Sequence, residues 1–137
     1  MKELLIPVLL ALASCSVQPS TETFVMSLNN VEFPVADPPK VLEVPSSIKA
    51  GDALTIRVSV AFGGCEQFSK FESKRTNDKL ELTPIGSRQL NVACIEIYGT
   101  KWVEFVDVAT PARSSLFTVT VRHGNGTDLE RTVSINP

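Results

Sequence analysis

The sequence predicts an all-β fold, a two-sheet antiparallel β-sandwich of about seven short strands, with a small up-and-down barrel as the alternative. Three observations carry this. Apolar and polar residues alternate with a period of two over several short stretches, as in strands with one buried and one wet face. Nine prolines and seven glycines break the chain between those stretches. No stretch keeps a helical period, and the apolar positions are rich in valine and isoleucine. The length of 137 residues fits one domain. The formal net charge of -2 speaks against a nucleic-acid partner, because such domains carry a basic excess.

The chain opens with Lys2, then the apolar run Leu4 to Leu12. That run is shorter than the roughly 20 residues a permanent membrane helix needs, and Pro7 within it disfavours a core helix. A short apolar segment after a positive start has the form of an export signal. It ends in Leu12-Ala13-Ser14-Cys15, which resembles the lipobox of bacterial lipoproteins. The resemblance implies a leader over residues 1–14, diacylglyceryl on the Cys15 thiol and Cys15 as the first mature residue. Two or three acyl chains hold a protein durably, whereas one holds it weakly, at about 0.8 kcal/mol per buried methylene. Ala11-Leu12-Ala13 also fits ordinary signal peptidase, which would release a soluble protein starting at Ser14. In Gram-negative lipoproteins an aspartate after the cysteine marks inner-membrane retention; Ser16 therefore leans towards the outer membrane.

Residues 15–23 follow as a lipidated start and polar tether, with Ser16 to Thr23 lacking apolar periodicity, and the folded domain is expected over 24–137. Phe24 to Phe33 fits an edge strand broken near Asn29-Asn30, and Pro34, Pro38 and Pro39 exclude a central strand there. Val41 to Val44 predicts a short strand that leaves through Pro45-Ser46-Ser47. The clearest strand is central: Leu54, Ile56, Val58, Val60 and Phe62 alternate with Thr55, Arg57, Ser59 and Ala61, between the Gly51-Asp52 turn and Gly63-Gly64. After Cys65, Phe68 and Phe71 are three apart. A hairpin around Asn77-Asp78 leads to Leu80–Thr83, and Pro84, Gly86 and Ser87 read as the next break. Leu90 to Tyr98 predicts a strand that stops at Gly99-Thr100. Trp102 to Val108 predicts another, with Val103 and Phe105 on one face, before the Thr110-Pro111-Ala112 break. The last hairpin pairs Phe117, Val119 and Val121 with Leu129, Arg131, Val133 and Ile135 through His123-Gly124-Asn125-Gly126, whose glycines and asparagine suit a positive-φ turn.

This arrangement, with Gly63-Gly64-Cys65, Phe68-x-x-Phe71 and the later Cys94, resembles small bacterial envelope lipoproteins with one immunoglobulin-like domain. It departs from an antibody domain in that its tryptophan, Trp102, follows Cys94 instead of standing between the cysteines. With Cys15 assigned to lipid, an exported chain leaves Cys65 and Cys94 to pair, and no Cys-x-x-Cys pair suggests redox work.

No catalytic, cofactor or metal set is expected. A blue-copper site needs two histidines beside its cysteine, and the chain has one, His123. One histidine in a glycine-rich turn is also a poor general base. Ser46-Ser47 and Ser114-Ser115 read as turn residues, and Asn125-Gly126-Thr127 matches a glycosylation acceptor by spelling alone. Lys70, Lys74, Arg75 and Lys79 cluster around the first hairpin. They read as a solvated edge that resists aggregation, or as a contact for anionic headgroups, lipopolysaccharide or an acidic partner. The function expected is a non-enzymatic module of the bacterial cell envelope, held to the membrane by the lipid on Cys15, with an envelope protein or surface polymer as partner and no cofactor. A tethered or secreted protease inhibitor on the same scaffold is the alternative, by fold analogy.

Overall fold

The computed structural model describes residues 20–28, 41–124 and 128–137. Cys15, the leader, Asn29-Asn30, the prolines at 34, 38 and 39, and Asn125-Gly126-Thr127 lie outside them. The chain is all-β and forms two sheets. Ten strands occur among the described residues: β1 (Ser20–Val25), β2 (Ser27–Leu28), β3 (Leu42–Glu43), β4 (Ser47–Lys49), β5 (Leu54–Phe62), β6 (Glu66–Arg75), β7 (Lys79–Leu90), β8 (Gly99–Asp107), β9 (Leu116–Val121) and β10 (Leu129–Asn136).

The smaller sheet is organised by β5, which pairs along its whole length with β8 and offers its other edge to β2 and β3. The alternation read from the sequence is realised: Leu54, Ile56, Val58 and Val60 are fully buried. In the larger sheet β7 has β6 along one side, while β9 and β1 share the other. Phe117, Val119, Val121 and Val133 of the terminal hairpin close the core against Leu80 and Leu82. The chain crosses between the sheets at Met26, between β1 and β2, and that side chain is fully buried.

Several expectations are corrected. The tether was expected to run to Thr23, but β1 begins at Ser20, where Ser20 to Val25 pair with Leu90 to Ile85. A polar sequence can form a strand when a partner supplies the ladder, and burial there is slight. The sandwich is not wholly antiparallel: β4 runs parallel to β10 and β9 parallel to the first third of β7. The predicted break at Pro84, Gly86 and Ser87 is strand. Pro84 is accommodated because its ring nitrogen faces the side of β7 where β9 has ended and β1 begins. The Pro84 carbonyl on that side accepts from the Met26 N–H at 2.9 Å, so the missing donor falls between two partners. Gly86 lies in a cross-strand row with Phe24 and Phe68. A Cβ there would come within 2.9 Å of the Phe24 ring and of Met26 Cγ, so the glycine makes room for the neighbouring side chains. β4 was missed because only Ile48 among its three residues packs inward.

The expected strand from Leu90 to Tyr98 is absent. β7 ends at Leu90, residues 91–98 form an exposed non-strand segment, and Gly99-Thr100, read as a terminator, opens β8. Asn91 takes a left-handed φ of 59°, a conformation asparagine tolerates, and it turns the chain off the sheet.

Core truncation is expected to separate the two faces of β5. Ile56→Ala should lower unfolding free energy by about 2–5 kcal/mol, whereas Thr55→Ala on the exposed face should stay within about 0.5 kcal/mol, as read from urea denaturation midpoints.

Candidate functional site

The two ends of the sandwich are built from different chemistry. β7 spans twelve residues, or about 36 Å at roughly 3.3 Å per residue, and it sets the separation of those ends. At its start lie the 76–78 hairpin turn, the 50–53 turn before β5 and the 108–115 segment after β8. At its finish lie Ser20, the Gly63-Gly64 corner and residues 91–98.

The first end is gathered around Asp107. Asp107 closes β8, and its side chain is only 6% exposed. Two arginines hold it. Arg113 donates from Nε to Asp107 Oδ2 at 2.9 Å and from Nη2 to the Asp107 carbonyl at 2.8 Å. Arg75 Nε donates to Oδ1 at 3.0 Å. The remaining guanidinium donors tie down loops. Arg113 Nη1 reaches the Asp52 carbonyl at 2.8 Å, Arg75 Nη2 the Pro111 carbonyl at 2.8 Å and Arg75 Nη1 the Thr76 carbonyl at 2.6 Å. Both guanidinium groups lie over the Phe117 ring, at 4.8 Å for Arg75 and 5.6 Å for Arg113. One carboxylate thus fastens three loops to the core. Ser114 Oγ also donates to Asp78 Oδ1, joining the hairpin to the last of them.

This changes the reading of the basic cluster. Arg75 does not belong to an exposed patch: its side chain is 15% exposed and committed to Asp107. Lys70 and Lys74 stay on the outer face of β6, yet Glu72 stands between them and Lys74 faces Glu81 across the ladder. Glu81 also accepts from Arg122 at 3.1 Å. Lys79 is exposed at the start of β7. The four residues do not converge on one anion site.

At the opposite end, Cys65 and Cys94 are bonded, with Cα atoms 5.5 Å apart and a sequence separation of 29. A loop of that length is worth roughly 3–4 kcal/mol in the chain-entropy model. The bond lies at the rim and does not cross the core as in an antibody domain: Cys94 is exposed and Cys65 has a left-handed φ of 60°. Gly64 lies directly beneath the Ile95 carbonyl, and a Cβ there would overlap it. The Cys65 carbonyl accepts from the Gln89 N–H at 3.0 Å. Residues 91–98 are therefore braced while their side chains face solvent: Ile95 is 75%, Ile97 55% and Tyr98 92% exposed. Beside them Arg88 bridges Glu66 at 3.2 Å and Glu22 at 2.9 Å. Its hydrogen bond and charge interaction with Glu66, then those with Glu22, raise its pKa above the ordinary arginine value.

The smaller sheet carries a similar row. Arg57 meets Glu43 at 2.8 Å and Glu104 at 3.3 Å, and stacks 5.0 Å from the Trp102 ring. Trp102 is thus an outer-face platform, not a core residue. His123 sits in the last turn, where burial lowers its pKa and Asp128 partly restores it. No cluster of three or more histidine, cysteine, aspartate or glutamate side chains able to hold a metal occurs among the described residues. In the buried triad both carboxylate oxygens and every guanidinium nitrogen have a protein partner.

Comparison with protein families, curated proteins and solved structures finds no match in any of the three.

Asp107→Ala is expected to cost about 3–5 kcal/mol of unfolding free energy, since it leaves two largely buried arginines without their counter-charge. The double variant Asp107→Leu with Arg113→Met should recover part of that loss, as measured by chemical denaturation.

Proposed function

We propose that this protein is a non-catalytic, lipid-anchored module of the bacterial cell envelope that presents its Asp107-braced end to a partner, either another envelope protein or a surface polymer. The observation that carries the reading is the place where the chain enters the body. Ser20 is paired with Leu90, at the opposite end of β7 from the Asp107 triad. A lipid on Cys15, five residues before Ser20, would hold the Ser20 end near the bilayer and point the three fastened loops outward. Leu12-Ala13-Ser14-Cys15 at the end of an apolar run supports the anchor. The outer-membrane leaning of Ser16 belongs to the same reading.

Rigid loops on a stable scaffold suit recognition. Val108 and Leu116, near the outward end, are 62% and 63% exposed, which gives a partner apolar area beside a fixed backbone. The second reading, a tethered protease inhibitor, draws on the braced and exposed segment 91–98. Inhibition of any member of a protease panel that is lost on cleavage within 91–98 would favour it.

Replacing Cys15 with Ser should move the protein from the membrane pellet to the soluble fraction of fractionated cells and abolish the acyl mass on the mature amino terminus. Unchanged partition, or a native species starting at Ser14, contradicts the anchor.

A further inference from the structure

Monomer surfaces expose isolated apolar residues freely, whereas a contiguous exposed group marks a contact. Ile95, Ile97 and Tyr98 are all exposed within four consecutive positions, and Val92 is 40% exposed three residues before them, an unusual density of bare apolar side chains. Two features separate this group from an ordinary loop. The Cys65–Cys94 bond and the close Gly64–Ile95 backbone contact order it in advance, so that little entropy is lost on binding. It also starts at Asn91, one residue after Leu90, which is the partner of Ser20.

We infer that residues 91–98 are a second membrane contact, laying Ile95, Ile97 and Tyr98 into the headgroup–acyl boundary of the bilayer that holds the Cys15 lipid. The inference rests on the lipid-anchor reading for its geometry. Cys15 stands five residue steps before Ser20, and fully extended that span reaches at most about 18 Å. The anchor therefore keeps the Ser20 end, and the adjoining 91–98 segment, close to the membrane surface. A bilayer is the apolar phase that such a tether brings within reach at all times.

The residue types match the depth. Isoleucine favours the acyl region, and tyrosine favours the interface, where its ring is buried and its hydroxyl stays wet. Glu96 in the same segment stays with the headgroups and limits penetration. Arg88 nearby is held between Glu22 and Glu66, and the exposed Glu96 and Lys101 are of opposite sign, so the segment carries no net charge excess. The contact is therefore driven by apolar area and does not require anionic lipid. Three side chains are too few to anchor a protein alone; their effect is to fix the orientation of a body already tethered.

The test uses the full chain in lipidated and Cys15→Ser forms with neutral phosphatidylcholine vesicles. In hydroxyl-radical footprinting, oxidation of Ile95 and Tyr98 should fall about fivefold when the lipidated protein is on vesicles, as expected for apolar and interfacial side chains withdrawn from water. Val108 and Leu116 at the other end should keep their solution rates. In the Cys15→Ser background, which removes the anchor, Ile95→Ser/Ile97→Ser/Tyr98→Ser should weaken vesicle partition about tenfold. An intact disulfide and an unchanged denaturation midpoint would show that the variant is folded. Tyr98 labelled on vesicles at its solution rate, or partition unaffected by the triple substitution, overturns the inference. So does a triple variant that keeps vesicle contact but loses a co-purifying protein, which would make the loop a protein-docking site. If mass analysis finds Cys15 unmodified, the anchor reading fails by itself, and the Cys15→Ser comparison still decides whether the loop meets lipid.

Discussion

The antiparallel pairing of Ser20–Val25 with Ile85–Leu90 is the constraint on which the layout depends. It brings the amino-terminal entry to the far end of the longest strand, next to the segment that leaves that strand. Because β9 occupies the first third of the same edge, β1 has no other stretch of β7 available. Gly86, which clears space for Phe24 and Met26, and Pro84, whose missing donor falls between β9 and β1, are the two residues that make the division of that edge possible.

The ends so defined are held by different means. A covalent bond and a glycine brace the end at Ser20, where little apolar burial is available. At the other end a carboxylate and two arginines fix three loops around the Phe117 ring. A buried ion cluster of this kind contributes little net stability compared with apolar side chains of the same size, because desolvation offsets the attraction. What it supplies is direction: with both Nε groups on the Asp107 carboxylate, each of the four Nη nitrogens reaches a different backbone carbonyl, so the loops adopt one arrangement. An apolar substitute could fill the volume but could not choose among loop conformations in this way. That is the property a recognition surface needs, and it coincides with the end opposite Ser20, which the proposed anchor would point outward.

The central strand, the first and last hairpins and the disulfide were legible in the sequence, because each depends on local signals. Those signals are the two-residue period from Leu54 to Phe62, the turn at Asn77-Asp78, the pairing of Phe117-Val119-Val121 with Val133, and cysteine parity. The failures share a cause in long-range pairing. Leu90 to Tyr98 has the composition of a strand, yet Cys94 is drawn to Cys65 and Asn91 turns away, so its isoleucines face water. Pro84 looked like a terminator because the change of partner on one edge of β7 is invisible locally. Arg75 looked like part of a basic patch because its partner Asp107 lies 32 residues away. Ser20 to Thr23 carries no strand signal, since its ladder is provided by β7. The candidate sites were therefore less legible than the fold: charge type and apolar content were readable, but which charges are buried and which apolar residues are bare is decided by tertiary pairing.

The orientation that joins these features is tested most directly by energy transfer on supported bilayers. A donor would be introduced as a noncanonical residue at Asn77, in the exposed hairpin turn, and acceptors would be placed in the headgroup plane. With the lipidated protein standing on its Ser20 end, the distance of closest approach should be about 35–40 Å, set by the length of β7 at roughly 3.3 Å per residue. A distance of about 15 Å or less, comparable to the roughly 10 Å spacing of packed sheets, would mean that the body lies flat or inverted on the membrane and would contradict the assignment of its two ends.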